Sequence, residues 1–557
     1  MTLGCGEAPP ESPAAGTEGT TSVGSTSGTP STSTGTSEGT GSAGDSTSGG
    51  EEESSTTGAA FEAAVSIIAT QRDPEDELSL SLLRIDYADG VTDEPEVLTP
   101  DVRRFLGFLE LSPGASALTY QTFDPGGPFE TYVVGLDDGR PLTTSHLTDP
   151  ARPEFTRSRM GVFTPDESQV IFATSVPDGG PSQTYIAPVV DGELGALHAL
   201  DEVTAPSTFS VSFSADGARM MTGLHMVSLA DPFEITELPP TDPSFYVANG
   251  PRFAEGDDVV WYRLSGNDRE VGQLLYVDVS APPPWTAVPV HTGLGSAQSP
   301  VASPDGRWLE YSVEDGETLE RYAVRFEGAE VSIPVSLGTW TATTDSGAFE
   351  LAWSADGSTL AFRADANRMY VVDMSGDTPG QPVLVSSEDL PPDVLLGFPQ
   401  LDPDGAWVYY RRFVSEEGTL YRASVTGELA EQPQPVSDGQ DVVGNGFRDI
   451  TISPDGMGAV FIEQPDSMWL EYAAWYVDLS GPMPGQPVRL GSELPPSGTA
   501  TDPQWSSDSQ SVVVDFSENG FFGPNTYYLV DRSAPDSLFE LGMFEDLLVI
   551  DPVALPE

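Results

Sequence analysis

The sequence contains no lysine, so its 23 positive side chains are all arginine, set against 87 aspartates and glutamates. The formal net charge is −64. Nucleic acids and anionic membrane surfaces both require a basic footprint, so neither is expected as a partner. We expect a solvated acidic surface that keeps the protein soluble, with specific cation binding as the alternative.

Cysteine and histidine are also scarce. A single cysteine, Cys5, excludes an internal disulfide. The four histidines have no ligand-like spacing, and we expect surface positions rather than a zinc site or a catalytic triad for His146, His198, His225 and His291. No run of 18 apolar residues occurs, so no segment is expected to span a membrane. We therefore expect no metal, no cofactor and no enzymatic activity.

One short motif recurs throughout most of the chain, at intervals of about 50 residues. A clear copy is Ser453-Pro454-Asp455-Gly456, which follows one apolar segment and precedes another. Proline presets φ, aspartate can bond the backbone ahead of it, and glycine accepts positive φ. The motif therefore predicts a tight turn between antiparallel strands. At the aspartate position, nine strong or weak copies fall at residues 114, 166, 216, 255, 305, 356, 404, 455 and 508.

Further strands follow each turn. A third strand with a Tyr-Val-Val-Asp character is illustrated by Tyr370–Asp373, and a short fourth strand by Gln381–Leu384. Four strands within roughly 40–50 residues is the size of one propeller blade.

These residues resemble a known family. Repeated Ser-Pro-Asp-Gly, an apolar strand and then Tyr-Val-Val-Asp are similar to the WD40-like repeats of TolB-type β-propellers, from about residue 60 to the C-terminus. The resemblance implies an all-β fold of four-stranded blades. It implies no particular activity, because propellers carry unrelated functions.

The two ends of the repeat region are complementary. The first unit begins at its second strand, Val65–Thr70, whereas a surplus strand, Leu547–Ile550, follows the last complete unit. Pairing these strands would close a ring and remove two exposed sheet edges. We therefore expect residues 60–557 to form a single large β-propeller of about ten blades. Eight blades with extra strands, or two smaller propellers, are the alternatives.

Residues 1–58 differ from the rest in composition. Serine, threonine and glycine dominate, which predicts a disordered tether. Within it, Leu3-Gly4-Cys5-Gly6 resembles the lipid-attachment box of bacterial lipoproteins, although Thr2 stands where leucine is usual. We expect translation to begin further upstream, at a signal peptide, with a free cysteine on a cytosolic tail as the alternative. The resemblance implies a lipid anchor in the bacterial cell envelope, facing the periplasm or the exterior.

Arginines cluster just ahead of, or within, the strand that precedes the turn. The resemblance implies that this strand borders the central channel. Ring symmetry would then gather several guanidinium groups at the channel mouth, where they would bind an anionic ligand: Arg103, Arg159, Arg252 and Arg448, with Arg104 and Arg157 beside them. The alternative is that each arginine pairs with a nearby carboxylate.

Aromatic residues and the turn aspartates are two further candidate groups. Trp469, Tyr472 and Trp475 predict an interface, with packing between blades as the alternative. The aspartates of the turns do not predict calcium, because each turn has one carboxylate and a calcium loop needs several.

Together these features predict a non-enzymatic, monomeric binding or scaffold protein whose ligand is a protein or a small anion. A hydrolase or lyase with its site in the channel is the alternative, and a purely structural envelope protein is the third.

Overall fold

A computed structural model describes residues 65–550 except for 73–78, 89–90, 93–95, 104, 115, 124–128, 138–139, 148–156, 159–160, 176–181, 191–192, 201–210, 231, 240–244, 267–271, 292–295, 316–317, 342–350, 366, 388–389, 392–393, 415–416, 426–432, 438–449, 464–472, 492–498, 518–524, 537 and 545. All described strands belong to the unit Ala59–Glu557. The predicted tether and Cys5 lie outside the described residues. Across the described part of the chain, no helix is long and apolar enough to cross a membrane.

The described residues form ten antiparallel sheets that follow one another along the chain. The first sheet contains β1 (Val65–Arg72), β2 (Ser79–Ala88), β3 (Val91–Thr92) and β4 (Glu96–Arg103). The second contains β5 (Phe105–Leu111), β6 (Ala117–Phe123), β7 (Phe129–Asp137) and β8 (Arg140–His146). The third contains β9 (Arg157–Ser158), β10 (Val162–Phe163), β11 (Gln169–Ser175), β12 (Ser182–Val190), β13 (Glu193–Leu194) and β14 (His198–Leu200). The fourth contains β15 (Val211–Phe213), β16 (Arg219–Thr222), β17 (His225–Ser228) and β18 (Ile235–Glu237).

The middle of the chain continues the pattern. The fifth sheet contains β19 (Phe245–Phe253), β20 (Val259–Gly266), β21 (Gly272–Asp278) and β22 (Ala287–Pro289), with a short 3-10 turn at Glu255–Asp257. The sixth contains β23 (Ser296–Ala302), β24 (Trp308–Asp315), β25 (Thr318–Glu327), β26 (Glu330–Val331) and β27 (Val335–Thr341). The seventh contains β28 (Leu351–Trp353), β29 (Thr359–Asp365), β30 (Arg368–Asp373) and β31 (Val383–Leu384).

Three sheets complete the series. The eighth contains β32 (Val394–Leu396), β33 (Gln400–Leu401), β34 (Trp407–Val414), β35 (Glu417–Ser424) and β36 (Gln434–Pro435). The ninth contains β37 (Ile450–Ile452), β38 (Gly458–Glu463), β39 (Ala473–Asp478) and β40 (Val488–Arg489). The tenth contains β41 (Thr499–Trp505), β42 (Ser511–Ser517), β43 (Asn525–Asp531) and β44 (Leu538–Phe544), and is followed by β45 (Asp546–Ile550).

The last strand returns to the first sheet. β45 pairs antiparallel with β1, from Ser66 opposite Ile550 to Thr70 opposite Asp546. Eight hydrophobic clusters join consecutive sheets from the second to the tenth, and the first sheet contacts both the second and the tenth. The fold is therefore a closed β-propeller, and the predicted pairing of the terminal strands is confirmed.

The repeated motif forms the turn that was predicted for it. In the sixth sheet, the Gly306 N–H donates to the Ser303 carbonyl at 2.9 Å, and Gly306 has a φ of 72°. The Ser303 hydroxyl donates to Asp305 at 2.5 Å and accepts from the Trp308 N–H at 2.9 Å. The serine is buried, whereas the aspartate is exposed. The hydroxyl therefore joins both sides of the turn, a role not predicted from the sequence.

At three of the described turns, a residue with a side chain takes the position that is glycine in Ser-Pro-Asp-Gly. Glu167, Asp257 and Ser509 adopt φ values of 59°, 60° and 62°. Each accepts a backbone N–H from the turn of the preceding sheet: Glu167 from Gly114, Asp257 from Ala215, and Ser509 from Asp455. The left-handed conformation costs free energy for residues other than glycine, and at these three turns a hydrogen bond between sheets opposes that cost.

Candidate functional site

The predicted arginine group lies only partly within the described residues. Arg252 is on β19, the first strand of the fifth sheet, and its side chain is exposed. It forms no hydrogen bond or ion pair with another residue that the structure describes. Arg103 ends β4, where only the backbone is described, and Arg159 and Arg448 lie outside the described residues. Convergence of the four at a channel mouth stays a prediction.

Other arginines bridge neighbouring sheets, a role that sequence reasoning missed. Arg321 is fully buried, pairs with Glu310 at 2.7 Å and donates to the Arg363 carbonyl of the next sheet at 3.2 Å. Burial raises the pKa of the Glu310 carboxyl, and the Arg321 guanidinium opposes that rise. Among the described residues, the arginines that donate to a backbone carbonyl of the following sheet include Arg219, Arg263, Arg307, Arg321, Arg363 and Arg422.

A stacked aromatic pair recurs in five sheets. In each, one ring of the second long strand lies directly opposite a ring of the third, with centroids 5.0 to 6.2 Å apart and planes within 22° of parallel. Directly opposed residues of antiparallel strands have neighbouring side chains, which explains the contact. The pairs are Tyr120–Tyr132, Phe172–Tyr185, Tyr311–Tyr322, Phe362–Tyr370 and Tyr410–Tyr421.

In the sixth and seventh sheets a third ring covers the pair. His291, just after the fifth sheet, contacts Tyr311 at 5.9 Å and Tyr322 at 5.4 Å. Trp340, on β27 of the sixth sheet, contacts Phe362 at 5.4 Å and Tyr370 at 5.6 Å. In both cases the covering ring comes from the end of the preceding sheet.

The pair of the eighth sheet borders a pocket instead. The connection that precedes this sheet, residues 385–393, contains no aromatic residue. A pocket of about 170 Å³ lies here, and we name it the Tyr410 pocket after one of its lining residues, which are Ser387, Leu390, Tyr410, Arg412, Tyr421 and Pro433.

Strand alternation places a cation in this pocket. Tyr410 and Arg412 are two residues apart on β34 and therefore lie on the same face of the sheet. The Arg412 guanidinium carbon lies 5.9 Å from the centroid of the Tyr421 ring. Thr122, Thr174, Val313 and Ala364 occupy the corresponding position beside the other four aromatic pairs. The charge is thus particular to the eighth sheet among these five.

The polar groups of the Tyr410 pocket suit an anion. Among the described residues, Arg412 has no ion pair and no hydrogen bond, and its guanidinium group carries five N–H donors. Burial and the neighbouring Tyr421 raise the pKa of the Tyr410 phenol, which therefore stays protonated; its hydroxyl faces the Val385 carbonyl at 3.5 Å. Guanidinium groups bind carboxylates and phosphates through paired hydrogen bonds.

The remaining predicted residues do not form a common site within the described part of the chain. Trp475 is half-buried, donates to Glu463 at 2.5 Å and packs between the eighth and ninth sheets, while Trp469 and Tyr472 lie outside the described residues. Among the residues described, no group of three or more histidine, cysteine, aspartate or glutamate side chains is placed to hold a metal ion.

Comparisons with known proteins find similar solved structures but no match to a family model or a curated sequence. No family model matches the chain, and no curated protein matches its sequence. A solved structure of a eukaryotic initiation factor is similar at 12% identity, covering 88% of this chain and 98% of that one, with a TM-score of 0.49. A putative TolB from Agrobacterium tumefaciens is similar at 17% identity over 47% of this chain and 92% of that one, with a TM-score of 0.25. An oligogalacturonate lyase from Vibrio parahaemolyticus is similar at 12% identity over 77% and 98%, with a TM-score of 0.34.

Proposed function

We propose that this protein is a non-enzymatic binding protein and that the Tyr410 pocket holds a small anionic ligand. The observation that carries the proposal is Arg412, which lines a pocket and has no carboxylate partner among the described residues. Several other described arginines bind carboxylates instead. Arg307, Arg321, Arg325, Arg368 and Arg532 all form ion pairs.

The lining of the pocket supports the same conclusion. Tyrosine and arginine are enriched among the residues that carry most of the free energy at binding sites, because they combine a large contact area with directed hydrogen bonds. Here two tyrosines and one arginine share a single pocket with the hydroxyl of Ser387. Such a site offers donors for an anion and apolar ring surface for the rest of the ligand.

The net charge of the protein makes a distinctive salt dependence part of the proposal. A formal charge of −64 repels an approaching anion over long distances, whereas the contact with Arg412 acts at short range. Salt at 0.1 M limits electrostatic interactions to about 10 Å. We therefore expect the association rate of an anionic ligand to rise between low salt and about 0.1 M, the opposite of ordinary electrostatic steering.

The proposal is tested with a ring-sized carboxylate, benzoate, and its uncharged isostere, benzamide. Hydrogen bonds to charged groups contribute about 1.5–3 kcal/mol, so benzoate should bind at least about tenfold more tightly in calorimetric or NMR titrations. Arg412→Gln should remove this difference. Arg489→Gln makes the same change of charge on β40 and should leave it intact.

Three outcomes would contradict the proposal. Equal affinity for benzoate and benzamide would show that charge is not recognised, and equal loss in both variants would show that only net charge matters. Recovery of a chemically altered ligand would indicate catalysis, and with it the hydrolase or lyase alternative.

We also propose that Cys5 carries a lipid that holds the propeller at the bacterial cell envelope, facing the periplasm or the exterior. The motif around Cys5 and the Ser/Thr/Gly-rich composition that follows it support this assignment. Mass spectrometry of the membrane fraction should identify an acylated peptide that begins at Cys5, whereas an unmodified peptide starting at Met1 would refute it.

A further inference from the structure

We infer that the anion held by the Tyr410 pocket carries a single aromatic ring. The inference rests on the proposed function, because it names the chemical class of ligand for the same site. Its basis is the repeated arrangement of three rings in the two sheets that precede the pocket.

The covering rings of those two sheets meet their pairs in nearly the same orientation. His291 is inclined by 70° to Tyr311 and by 57° to Tyr322. Trp340 is inclined by 75° to Phe362 and by 56° to Tyr370. Edge-to-face contacts of this kind are favourable because the positive edge of one ring meets the negative face of another. The stacked pair therefore forms a surface that accepts a third ring edge-on.

The residue that occupies the position of His291 does not cover the pair of the eighth sheet. His291 follows Val290, whose N–H donates to the Leu274 carbonyl, and Ser386 follows Val385, whose N–H donates in the same way to the Met369 carbonyl. The Ser386 hydroxyl is turned to its own sheet, where it accepts from the Met369 N–H at 3.2 Å. The buried Tyr410 and the half-buried Tyr421 thus line the pocket without a third ring from this position over them.

The size of the pocket agrees with one ring. A cavity of about 150 Å³ in another protein is known to accept benzene, and drug-sized ligands need about 300 Å³ or more. At about 170 Å³ the Tyr410 pocket has room for a six-membered ring and a small substituent. Arg412 lines the same pocket, so a carboxylate on that ring would lie within its reach.

The experiment compares benzoate with cyclohexanecarboxylate, which has the same charge and a similar size but no aromatic ring. Edge-to-face contacts contribute about 0.5–1.5 kcal/mol, so benzoate should bind about fivefold more tightly to the full-length protein, although the saturated ring is more hydrophobic. Equal or tighter binding of cyclohexanecarboxylate would overturn the aromatic inference and leave the anion site standing. Failure of both acids to bind would instead overturn the proposed function.

A variant that fills the Tyr410 pocket with a side-chain ring tests the assignment of the pocket independently. Ser387→Trp places a third ring at the pocket from the same connection, so benzoate affinity should fall at least tenfold while the melting temperature is unchanged or raised. If this variant does not fold, Leu390→Phe makes a smaller change at the same wall with the same expectation. Unaltered benzoate binding in a folded filling variant would refute the assignment of the pocket.

Two sources can supply an aromatic ring with a carboxylate: a free aromatic acid and the C-terminal aromatic residue of another chain. A peptide ending in Gly-Gly-Phe distinguishes them. If this peptide binds more tightly than benzoate, and the same peptide amidated at its C-terminus does not, the source is a chain terminus. Tighter binding of benzoate identifies the free acid, and equal binding of peptide acid and amide would contradict recognition of the carboxylate.

Discussion

Replacing Asp257 tests how the turns hold neighbouring sheets together. Asp257 has a φ of 60° and is 8% exposed. Its carboxylate accepts the Ala215 N–H at 2.9 Å and 2.8 Å and the Asp216 N–H at 3.4 Å, and its carbonyl accepts from Arg219 at 2.8 Å. The fourth and fifth sheets are therefore joined at this point by one side chain in an unfavourable backbone conformation.

The magnitude follows from these two opposing contributions. Hydrogen bonds to a charged group stabilise a protein by about 1.5–3 kcal/mol, and a left-handed residue other than glycine costs about 1 kcal/mol. Asp257→Ala loses the bonds and retains the strain, so the free energy of unfolding should fall by about 3 kcal/mol. Asp257→Gly relieves the strain and should lose about 2 kcal/mol. Asp257→Asn keeps one acceptor oxygen and should lose about 1 kcal/mol.

Urea denaturation and amide hydrogen exchange measure the effect. The Ala215 and Asp216 amides are the donors, so their exchange should accelerate most in the alanine variant. Glu255→Ala is the matched control, because its exposed side chain has no hydrogen bond to another described residue, and it should change stability by less than about 0.5 kcal/mol. If the Asp257→Ala variant were as stable as the wild type, or more stable than Asp257→Gly, the proposed balance between hydrogen-bond energy and backbone strain would be wrong.

Four further predictions concern other parts of the chain. Asp402 takes the place of the buried turn serine, and burial raises the pKa of its carboxyl. The charged form therefore lowers stability at neutral pH, and this loss of stability disappears as the pH falls through the raised pKa. Asp402→Ser should accordingly stabilise the protein more at pH 7 than at pH 4, and an equal effect at both pH values would refute this. Deleting residues 545–557 should lower the melting temperature in a single cooperative transition, because the edge of β1 opens and the first sheet loses the strand that returns to it from the end of the chain; unchanged melting would count against closure through β45. Removing residues 6–58 should leave the melting temperature within about 1 °C, since their composition offers no core, and a large drop would show that they pack on the propeller. Arg252→Ala and Arg448→Ala should abolish binding of an anionic probe such as citrate if the channel-mouth hypothesis is correct, whereas loss of stability without loss of binding would favour the ion-pair alternative.

The architecture could be predicted from the sequence because its determinants are local. A Ser-Pro-Asp-Gly turn depends on the torsion angles and hydrogen bonds of about six consecutive residues, and those are legible in one copy such as Ser453–Gly456. Its recurrence at intervals of about 50 residues reveals the unit, and the complementary end strands imply closure. The pairing of β45 with β1 confirms a predicted contact between residues almost 500 positions apart in the sequence.

The Tyr410 pocket could not be predicted in this way, because it depends on packing between units. Tyr410 and Tyr421 are ordinary strand aromatics in the sequence, and Arg412 is one arginine among 23. What distinguishes them is that the preceding sheet brings no aromatic ring over the pair, and that is decided only when two sheets pack face to face. Turns and strands follow from short-range sterics and hydrogen bonding along the chain, so the sequence alone determined the propeller. Whether a third ring or a pocket lies beside such a pair is set by side chains that meet across sheets, so only the tertiary structure decided where the Tyr410 pocket lies.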